Sequence, residues 1–352
     1  MLKGRILFFY AEIMGYTIST IKELSNLGYE LHIVNWDDKK LTPYKYKQVE
    51  GVYFYNRSSL ITEELLKLAL NINPKLVVVS GWQDKGYLKV VKTLKRSGFI
   101  VVTGFDAQWR GTIKQKVAKA FNFFLKQYFT YAWVSGVYQY EYARNLGFSK
   151  SKIIFNLYSA DIGIFNEMYF KNKKSKEVSY PHRFVFVGRF EKVKSIDLLL
   201  ECWKDMAENK KDWELHLVGQ GSLKDAIINC QGVIVHDFIQ PDNFDSLIKE
   251  SGCFILPSKY EPWGVVLHEF AAAGLPVICS NNCGSASTFL INNYNGYFFD
   301  ANSKLSLKKQ MIRIINSTDE QLNEFSQNSF FISNRITPEL SALSLLSIIN
   351  DD

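Results

Sequence analysis

The sequence predicts an α/β protein built from two Rossmann-like, doubly wound domains that face a cleft. Short β-branched and aromatic runs alternate with amphipathic helical segments along the chain, which indicates parallel sheets with helices on both faces. A length of 352 residues allows two domains that each bury a core. A hydrophobic content of 47% excludes a disordered protein.

The first predicted domain covers residues 1–165 and alternates strands with helices. Its predicted strands are Arg5–Tyr10, Glu30–Trp36, Val52–Asn56, Leu76–Ser80, Phe99–Thr103 and Ala132–Ser135. Its predicted helices are Tyr16–Leu27, Thr62–Leu70, Gly86–Arg96 and Lys114–Phe129. We expect ligands to bind at the carboxyl ends of these strands, as they do in open α/β sheets.

The second predicted domain covers residues 181–335 and repeats the same pattern. Its predicted strands are Phe184–Val187, Glu214–Val218, Val233–His236, Cys253–Leu256 and Val277–Cys279. Residues 166–180 contain the lysine cluster KNKKSKE without apolar periodicity, and they are predicted to be a linker or a flexible loop. Residues 336–352 are predicted to hold a helix that packs back on the N-terminal domain.

The charge balance and the absence of targeting signals limit the partners. A net charge of +7 favours diphosphates or an anionic membrane surface over nucleic acid. The first apolar run, Ile6 to Tyr10, is too short for a signal peptide, and no run reaches a membrane-spanning length. The five cysteines show no zinc-site spacing. These observations predict a cytoplasmic protein without a metal site.

Two glutamates flank a predicted turn between a strand and a helix. Glu261 precedes the loop Pro262-Trp263-Gly264, and Glu269 lies inside the predicted helix Val265–Ala273. Because backbone N–H groups at a helix N-terminus bind phosphate, the loop predicts an anion site with a carboxylate on either side. This pattern suits a nucleotide sugar. Helix capping and dipole compensation are the alternative explanation for both glutamates.

A second window, FVFVGRFEKVKSIDLLLECW, places cations at the end of a buried strand. Gly188 allows a tight turn, and Arg189 and Lys194 follow it. Both side chains can neutralise the charge that develops on a leaving nucleoside diphosphate. The alternative is that Lys192 and Lys194 are solvated lysines of a loop. This explanation fits Arg189 less well, because Arg189 directly follows the glycine at the end of the strand. The turn Gly219-Gln220-Gly221-Ser222 follows the next strand and is expected near the base of the donor.

The second half resembles the retaining nucleotide-sugar glycosyltransferases of family 4, which have the two-domain GT-B architecture. The resemblance covers about Phe184 to Phe299 and rests on VGRFEKVKS, LVGQGS, HDFIQPDNFDSLIKESGCFILPS, YEPWGVVLHEFAAAGLPVICS and YNGYFF. It implies cations and amides on the diphosphate, Glu261 on the transferred sugar and Glu269 on the ribose. The expected donor-binding residues are Gly188, Arg189, Lys194, Gly219, Glu261, Gly264, Val265, Val266 and Glu269.

The resemblance also implies a reaction type. The anomeric configuration would be retained, no metal would be needed, and the diphosphate leaving oxygen would take the proton of the acceptor on the same face. No cofactor is expected beyond a UDP- or GDP-linked sugar. The expected catalytic residues are Glu261, Asp106, Arg189 and Lys194.

The chain departs from the family pattern mainly in its first half. Ser195 replaces a glycine, and Gly15 stands where relatives have two adjacent glycines. Phe105 takes the place of a histidine in the segment Thr103-Gly104-Phe105-Asp106. We therefore assign the polar acceptor-side role to Asp106, with Asp84 as second choice and Gly15 beside them. Helix capping is the alternative role for an aspartate after a strand.

The segment 110–129 combines early basic residues with late aromatic ones, which is typical of helices that lie on anionic membranes. Aromatic packing against the sheet is the alternative. The sequence as a whole predicts a transfer of sugar to a glycan or lipid-linked glycan in bacterial surface polysaccharide synthesis, by an enzyme that is peripheral on the inner face of the cell membrane. The alternatives are a sugar-nucleotide epimerase, which would call for cleft histidines that this chain lacks, and a non-catalytic nucleotide-sugar-binding partner.

Overall fold

The computed structural model describes residues 2–38, 43–46, 48–228 and 230–349. The chain forms two compact units: unit 1 contains Met1–Ser159 and Ile336–Asp352, and unit 2 contains Ala160–Arg335. Each unit is an α/β domain with one wholly parallel sheet. The predicted fold class, two doubly wound α/β domains, is confirmed. None of the helices among the described residues is long and apolar enough to cross a membrane.

Unit 1 has a seven-stranded sheet in the order β3-β2-β1-β4-β5-β6-β7. Its strands are β1 Gly4–Tyr10, β2 Tyr29–Asn35, β3 Val52–Asn56, β4 Leu76–Ser80, β5 Ile100–Phe105, β6 Tyr131–Val134 and β7 Ile153–Ile154. The first five helices are α1 Gly15–Asn26, α2 Thr62–Ile72, α3 Lys85–Arg96, α4 Ile113–Ala120 and α5 Val137–Asn145. The order of the strands reverses between β1 and β4, so the loops after these two strands are neighbours.

The core of unit 1 has two layers, one on each face of the sheet. Successive side chains of β1 alternate between them, as the two-residue period of a strand requires. Leu7 and Phe9 belong to one apolar cluster, while Ile6, Phe8 and Tyr10 belong to the other. Because both faces are covered, the strand is apolar from Ile6 to Tyr10.

Unit 2 has a six-stranded sheet in the order β10-β9-β8-β11-β12-β13. Its strands are β8 Arg183–Val187, β9 Glu214–Val218, β10 Ile234–His236, β11 Cys253–Leu256, β12 Val277–Ser280 and β13 Gly296–Phe299. Its helices are α6 Ile162–Val178, α7 Ile196–Lys204, α8 Lys224–Ile227, α9 Asp245–Glu250, α10 Val265–Ala272, α11 Ala286–Phe289, α12 Lys304–Ile315 and α13 Asp319–Ser333. The strand order reverses between β8 and β11, which makes the loops after these strands neighbours.

The last helix, α14 Pro338–Leu346, belongs to unit 1 although it follows unit 2 in the chain. It packs against α1, and its Ala342 and Leu345 are fully buried in the same apolar cluster as Ile21. The Thr20 hydroxyl donates a hydrogen bond to Ser341 across this contact, at 3.3 Å. Residues 350–352 of the predicted C-terminal segment lie outside the described residues.

The predicted linker at 166–180 is wrong, because α6 runs through most of it. This helix packs against α9, α10 and α13 of unit 2. Its buried face contains Phe165, Met168, Tyr169, Asn172 and Lys176, which follow helical spacing. The lysines around these positions mask the helical period of the buried residues in the hydrophobicity pattern. Lys176 donates to the Ser251 carbonyl at 2.8 Å, and burial lowers the pKa of this amine to about 7.

The predicted helix Lys114–Phe129 is also wrong in its second half. The α-helix ends at Ala120, and a 3₁₀ turn follows over Asn122–Gln127. Thr112 caps the start of α4 by accepting from the Gln115 N–H at 3.3 Å.

Candidate functional site

Two loops of unit 2 meet at the reversal of strand order, after β8 and after β11. The Lys259 N–H donates to the Val193 carbonyl at 2.9 Å, which ties the loops together. Beside this contact, the ammonium of Lys194 forms an ion pair with the carboxylate of Glu261. Ser258 donates a further hydrogen bond to Glu261, at 3.2 Å. The structure therefore brings together a cation and an acid that are distant in the sequence.

The loop after β12 holds Glu261 from the other side, and the sequence analysis missed this role. The Glu261 N–H donates to the Asn282 carbonyl at 3.1 Å, and the Gly284 N–H donates to the Glu261 carbonyl at 3.1 Å. The Ser285 N–H donates to Trp263 at 2.9 Å. These are main-chain contacts, which residue types do not reveal. The backbone of the acidic loop is fixed at both ends before any ligand binds.

Gly264 is the N-cap residue directly before α10, and its backbone conformation favours glycine. Its φ is 87°, and an added Cβ would lie 2.7 Å from Cγ of Glu261. Within the described part of the chain no side chain caps this helix, and its first turn contains no acidic residue. The N–H groups of Val265 and Val266 therefore stand at an uncapped helix N-terminus, which attracts anions. Gly264, which precedes these amides, lies against Glu261, and phosphate binding by the amides stays a prediction.

Glu269 lies one turn further along α10. Burial, together with the nearby Asp161 carboxylate, raises the pKa of Glu269 to about 7. A carboxyl group with this pKa changes its protonation near neutral pH, so its ability to accept a hydrogen bond depends on pH. Asp161, which precedes α6, did not figure in the sequence analysis because its place beside α10 results from tertiary packing.

His268, the neighbour of Glu269, anchors α10 inside unit 2. The Ala160 N–H donates to its Nδ1 at 3.0 Å, and its Nε2 donates to the Ser333 carbonyl at 2.8 Å. The ring stacks on Phe289 with the centroids 3.8 Å apart. Burial lowers the pKa of His268 to about 4, so the ring is neutral at physiological pH. The histidine fixes the helix that carries Val265, Val266 and Glu269.

The other cation, Arg189, is exposed on the loop after β8. It lies close enough to Glu191 for its charge to contribute to the lowered pKa of that carboxyl, mainly set by hydrogen bonds from Ser222. Gly188 and Gly219 bring two loops into contact, since a Cβ on Gly219 would lie 2.0 Å from the Gly188 carbonyl oxygen. This close backbone approach explains the glycine at position 219. The structure places no hydrogen bond between Arg189 and Glu261 among the described residues.

In unit 1, Asp106 follows β5 and its backbone is fixed. The Gln139 side chain donates to the Asp106 carbonyl at 2.9 Å. Burial, followed by the charge of the Asp106 carboxylate, raises the pKa of Tyr158 well above its ordinary value. Gly15 is the first residue of α1, and Met14 is the N-cap of that helix. Phe105 is buried in the core and offers no polar replacement for a histidine.

Asp84, the second choice for the acceptor side, is the N-cap residue of α3. Its carboxylate accepts from the N–H groups of Gly86 and Tyr87 at 2.7 and 3.0 Å, at the start of α3. It also accepts from Trp36 and forms an ion pair with Arg57, both at 3.0 Å. Burial opposes its charge, but these hydrogen bonds together hold the pKa of Asp84 below its ordinary value.

Comparisons with known proteins agree with this geometry. Residues 169–330 match the family model described as glycosyl transferases group 1. An uncharacterized 41.2 kDa protein from the cps region of Klebsiella pneumoniae is 28% identical over 201 residues, which are 55% of each chain. An uncharacterized glycosyltransferase of Methanocaldococcus jannaschii is 28% identical over 180 residues, or 48% of each chain. The chain thus spans about half the length of these relatives.

Solved structures show the fold over the whole chain. Anabaena HepE, solved with UDP and glucose, superposes with a TM-score of 0.74 at 12% identity and 99% coverage of both chains. Sucrose-phosphate synthase from Thermosynechococcus elongatus gives a TM-score of 0.74 at 15% identity, with 98% of both chains covered. At these sequence identities, the structural similarity shows that the proteins share a fold and nothing more. The chain has the two-domain, Rossmann-like GT-B fold that these proteins share.

Proposed function

We propose that the protein is a retaining glycosyltransferase that moves a sugar from a nucleoside-diphosphate donor to a glycan. The observation that carries the proposal is the Lys194–Glu261 ion pair beside the uncapped start of α10. A cation and free amides suit a diphosphate, and a carboxylate beside them suits sugar hydroxyls. The match of residues 169–330 to a glycosyltransferase family supports the same conclusion.

The proposed donor contacts follow from the positions of the side chains. The amides of Val265 and Val266, with Lys194 and Arg189, bind the diphosphate. Glu261 accepts from hydroxyls of the transferred sugar, and Glu269 accepts from the ribose. A uridine nucleotide is the first candidate, since HepE was solved with UDP.

The proposed reaction retains the anomeric configuration. The bond between the anomeric carbon and the diphosphate oxygen breaks, and a bond from the acceptor oxygen to the same carbon forms on the same face. The acceptor proton passes to the leaving diphosphate oxygen. Lys194 and Arg189 stabilise the negative charge that develops on that group, which is the contribution expected of preorganised cations. None of these steps calls for a metal ion.

The proposed acceptor side lies in unit 1, with Asp106 and Gly15 after β5 and β1. The proposed setting is bacterial surface polysaccharide synthesis, in line with the relative whose name places it in a cps region. Asp84 is left out of this assignment because its carboxylate caps α3.

A membrane contact through segment 110–129 is part of the proposal. Ile113, Val117, Phe121, Phe123 and Phe124 are each about half exposed or more, from 49% to 82%. Single exposed apolar residues are ordinary, but five within twelve positions form a patch. The nearby lysines at 114, 116, 119 and 126 suit an anionic leaflet. The proposed contact is peripheral, and its proposed location is the cytoplasmic inner face of the cell membrane.

Co-sedimentation with liposomes tests the membrane contact. We expect binding to phosphatidylglycerol vesicles and weak binding to phosphatidylcholine vesicles. A Phe121→Ser, Phe124→Ser variant should lose binding, whereas Phe331→Ser, which alters a residue 74% exposed in unit 2, should retain it. Equal sedimentation of both variants with the anionic vesicles would remove this part of the proposal.

A thermal-shift screen against UDP, GDP, ADP and CMP, and their common sugar conjugates, tests the donor site. One nucleotide family should raise the unfolding temperature, and Glu269→Ala or Arg189→Ala should reduce the shift. Lys192→Ala is the matched control, because Lys192 is an exposed lysine of the same loop. A shift that no variant alters would contradict the site. Turnover of the donor into an epimer without acceptor would favour an epimerase instead.

A further inference from the structure

The tryptophans of the chain divide into two groups. Four of the seven are buried, with exposed fractions of 1% to 4%: Trp133, Trp203, Trp213 and Trp263. The other three, Trp36, Trp82 and Trp109, are only partly buried, and all belong to unit 1. Each of the three follows a strand of the same sheet at its carboxyl end. This edge is where open α/β sheets bind ligands.

Trp82 occupies the loop after β4, at the reversal of strand order in unit 1. The loop after β1 lies beside it, since the Ala11 N–H donates to the Ser80 hydroxyl at 2.9 Å. Trp109 lies in the loop after β5, the next strand of the sheet. Both indoles therefore belong to loops that follow adjacent strands, at the edge of the sheet that also carries Asp106.

Buried rings hold the two indoles in place. Trp82 packs edge-on with Phe105 at 5.4 Å, and Phe105 packs edge-on with Tyr142 at 5.7 Å. Tyr142 contacts Trp109 at 5.9 Å, and the Lys119 ammonium lies 5.7 Å from the Trp109 ring. A side chain held in this way loses little conformational freedom when a ligand stacks on it. Phe105, which stands where a histidine was expected, is therefore part of an aromatic cluster.

Polar side chains accompany the rings. Gln83 follows Trp82 and is exposed, and Asp106 and Gln108 precede Trp109. A pyranose presents C–H groups on its faces and hydroxyls around its rim, so it needs flat apolar surfaces with donors and acceptors beside them. Indole rings with an adjacent carboxylate and amides offer that combination.

We propose that Trp82 and Trp109 form a carbohydrate-binding subsite of unit 1, on which sugar rings of the acceptor stack. This inference rests on the proposed function and narrows it, because the acceptor must then carry sugar rings next to the reacting hydroxyl. Asp106 lies between the two aromatic positions in sequence and contacts hydroxyls of the stacked sugar. Phe105 and Tyr142 act as positioning residues.

The test uses the full chain saturated with UDP and an array of defined oligosaccharides, followed by calorimetric titration with the tightest binder. Trp82→Leu and Trp109→Leu should each raise the Kd of the oligosaccharide at least about 10-fold. Trp82→Phe and Trp109→Phe should recover part of the affinity. Tyr53→Leu is the control, since Tyr53 is 50% exposed on β3 and away from the carboxyl edge.

A second measurement uses the unaltered chain, so that it does not depend on the folding of the variants. The indole N–H signals of Trp82 and Trp109 should shift on oligosaccharide addition, while those of Trp203 and Trp213 should not. Unchanged oligosaccharide affinity in both leucine variants, or no oligosaccharide binding by protein that binds UDP, overturns the inference. Failure of the proposed function looks different, because UDP binding itself would then be absent.

Discussion

Lys194 and Glu261 form an ion pair in which only 13% and 12% of the two side chains are exposed. The pair joins the loop after β8 to the loop after β11, at the reversal of strand order in unit 2. A diphosphate that binds the α10 amides would compete with Glu261 for the same ammonium group. Donor binding would then release the Glu261 carboxylate for sugar hydroxyls, which links the phosphate contact to the sugar contact.

Glu261→Ala should abolish transfer while leaving nucleotide binding intact. The change removes the acid that is proposed to contact the sugar, and it frees Lys194 from its ion pair for the diphosphate. We expect kcat to fall at least about 100-fold, with a UDP Kd that is unchanged or lower. Steady-state kinetics and calorimetry measure the two quantities. Equal losses of turnover and of UDP affinity would contradict this division of roles.

Lys194→Met should weaken both folding and UDP binding. The substitution leaves the Glu261 carboxylate without its cation in a mostly buried place, so unit 2 should lose about 1–3 kcal/mol of stability. The double variant Lys194→Met, Glu261→Gln should recover much of that stability but none of the UDP affinity. Chemical denaturation of the single and double variants provides the comparison. Additive stability losses would show that the pair contributes nothing to folding.

UDP affinity should depend on pH through Glu269. The pKa of Glu269 is about 7 in the free protein, and the ionised form is the better acceptor for ribose hydroxyls. Affinity should therefore rise with pH through 7, by about 10-fold between pH 6 and pH 8. Glu269→Gln removes the titrating group, so the UDP affinity of this variant should lack the rise with pH that Glu269 causes. The difference between the two pH profiles also cancels the titration of UDP itself.

Stability should fall in acid because of His268. Its folded pKa of about 4 lies below the ordinary value of 6.5, so the unfolded chain binds the proton more tightly. Stability is fully present above pH 6.5 and is lost as the pH falls toward 4, by about 3 kcal/mol in all. Denaturation of the wild type and of His268→Gln at pH 7 and pH 4.5 checks this. Parallel losses in the two proteins would rule out a contribution from His268.

The periodicity of the sequence predicted most of the sheet. Strands such as Leu76–Ser80 and Cys253–Leu256 have the predicted bounds, because apolar and β-branched runs reveal strands that are buried on both faces. The helix α6 was missed because two of its buried positions are Asn172 and Lys176. A lysine that buries its stem and bonds a carbonyl resembles a solvated lysine in sequence.

The candidate site was predicted in its parts, but its assembly was not. Motif order placed Lys194 before one helix and Glu261 before another, and only the fold shows that they form an ion pair. The supports of the acidic loop, Asn282 and Gly284, act through main-chain groups that any residue could supply. For Asp84 the residue type is visible in the sequence but its role is not, because a carboxylate after a strand can cap a helix or bind a ligand. The structure shows that it caps α3.

The position of α14 affects how the protein is made. Unit 1 is discontinuous in the chain, because α14 buries Ala342 and Leu345 against α1 only after the 176 residues from 160 to 335 have been added. During synthesis, the nascent unit 1 leaves the ribosome with the α1 side of its core uncovered. At translation rates of about 5–20 residues per second, that apolar surface stays open for roughly 10 to 35 seconds. Chaperones would have that interval to act on it, and unit 2 could complete its fold first.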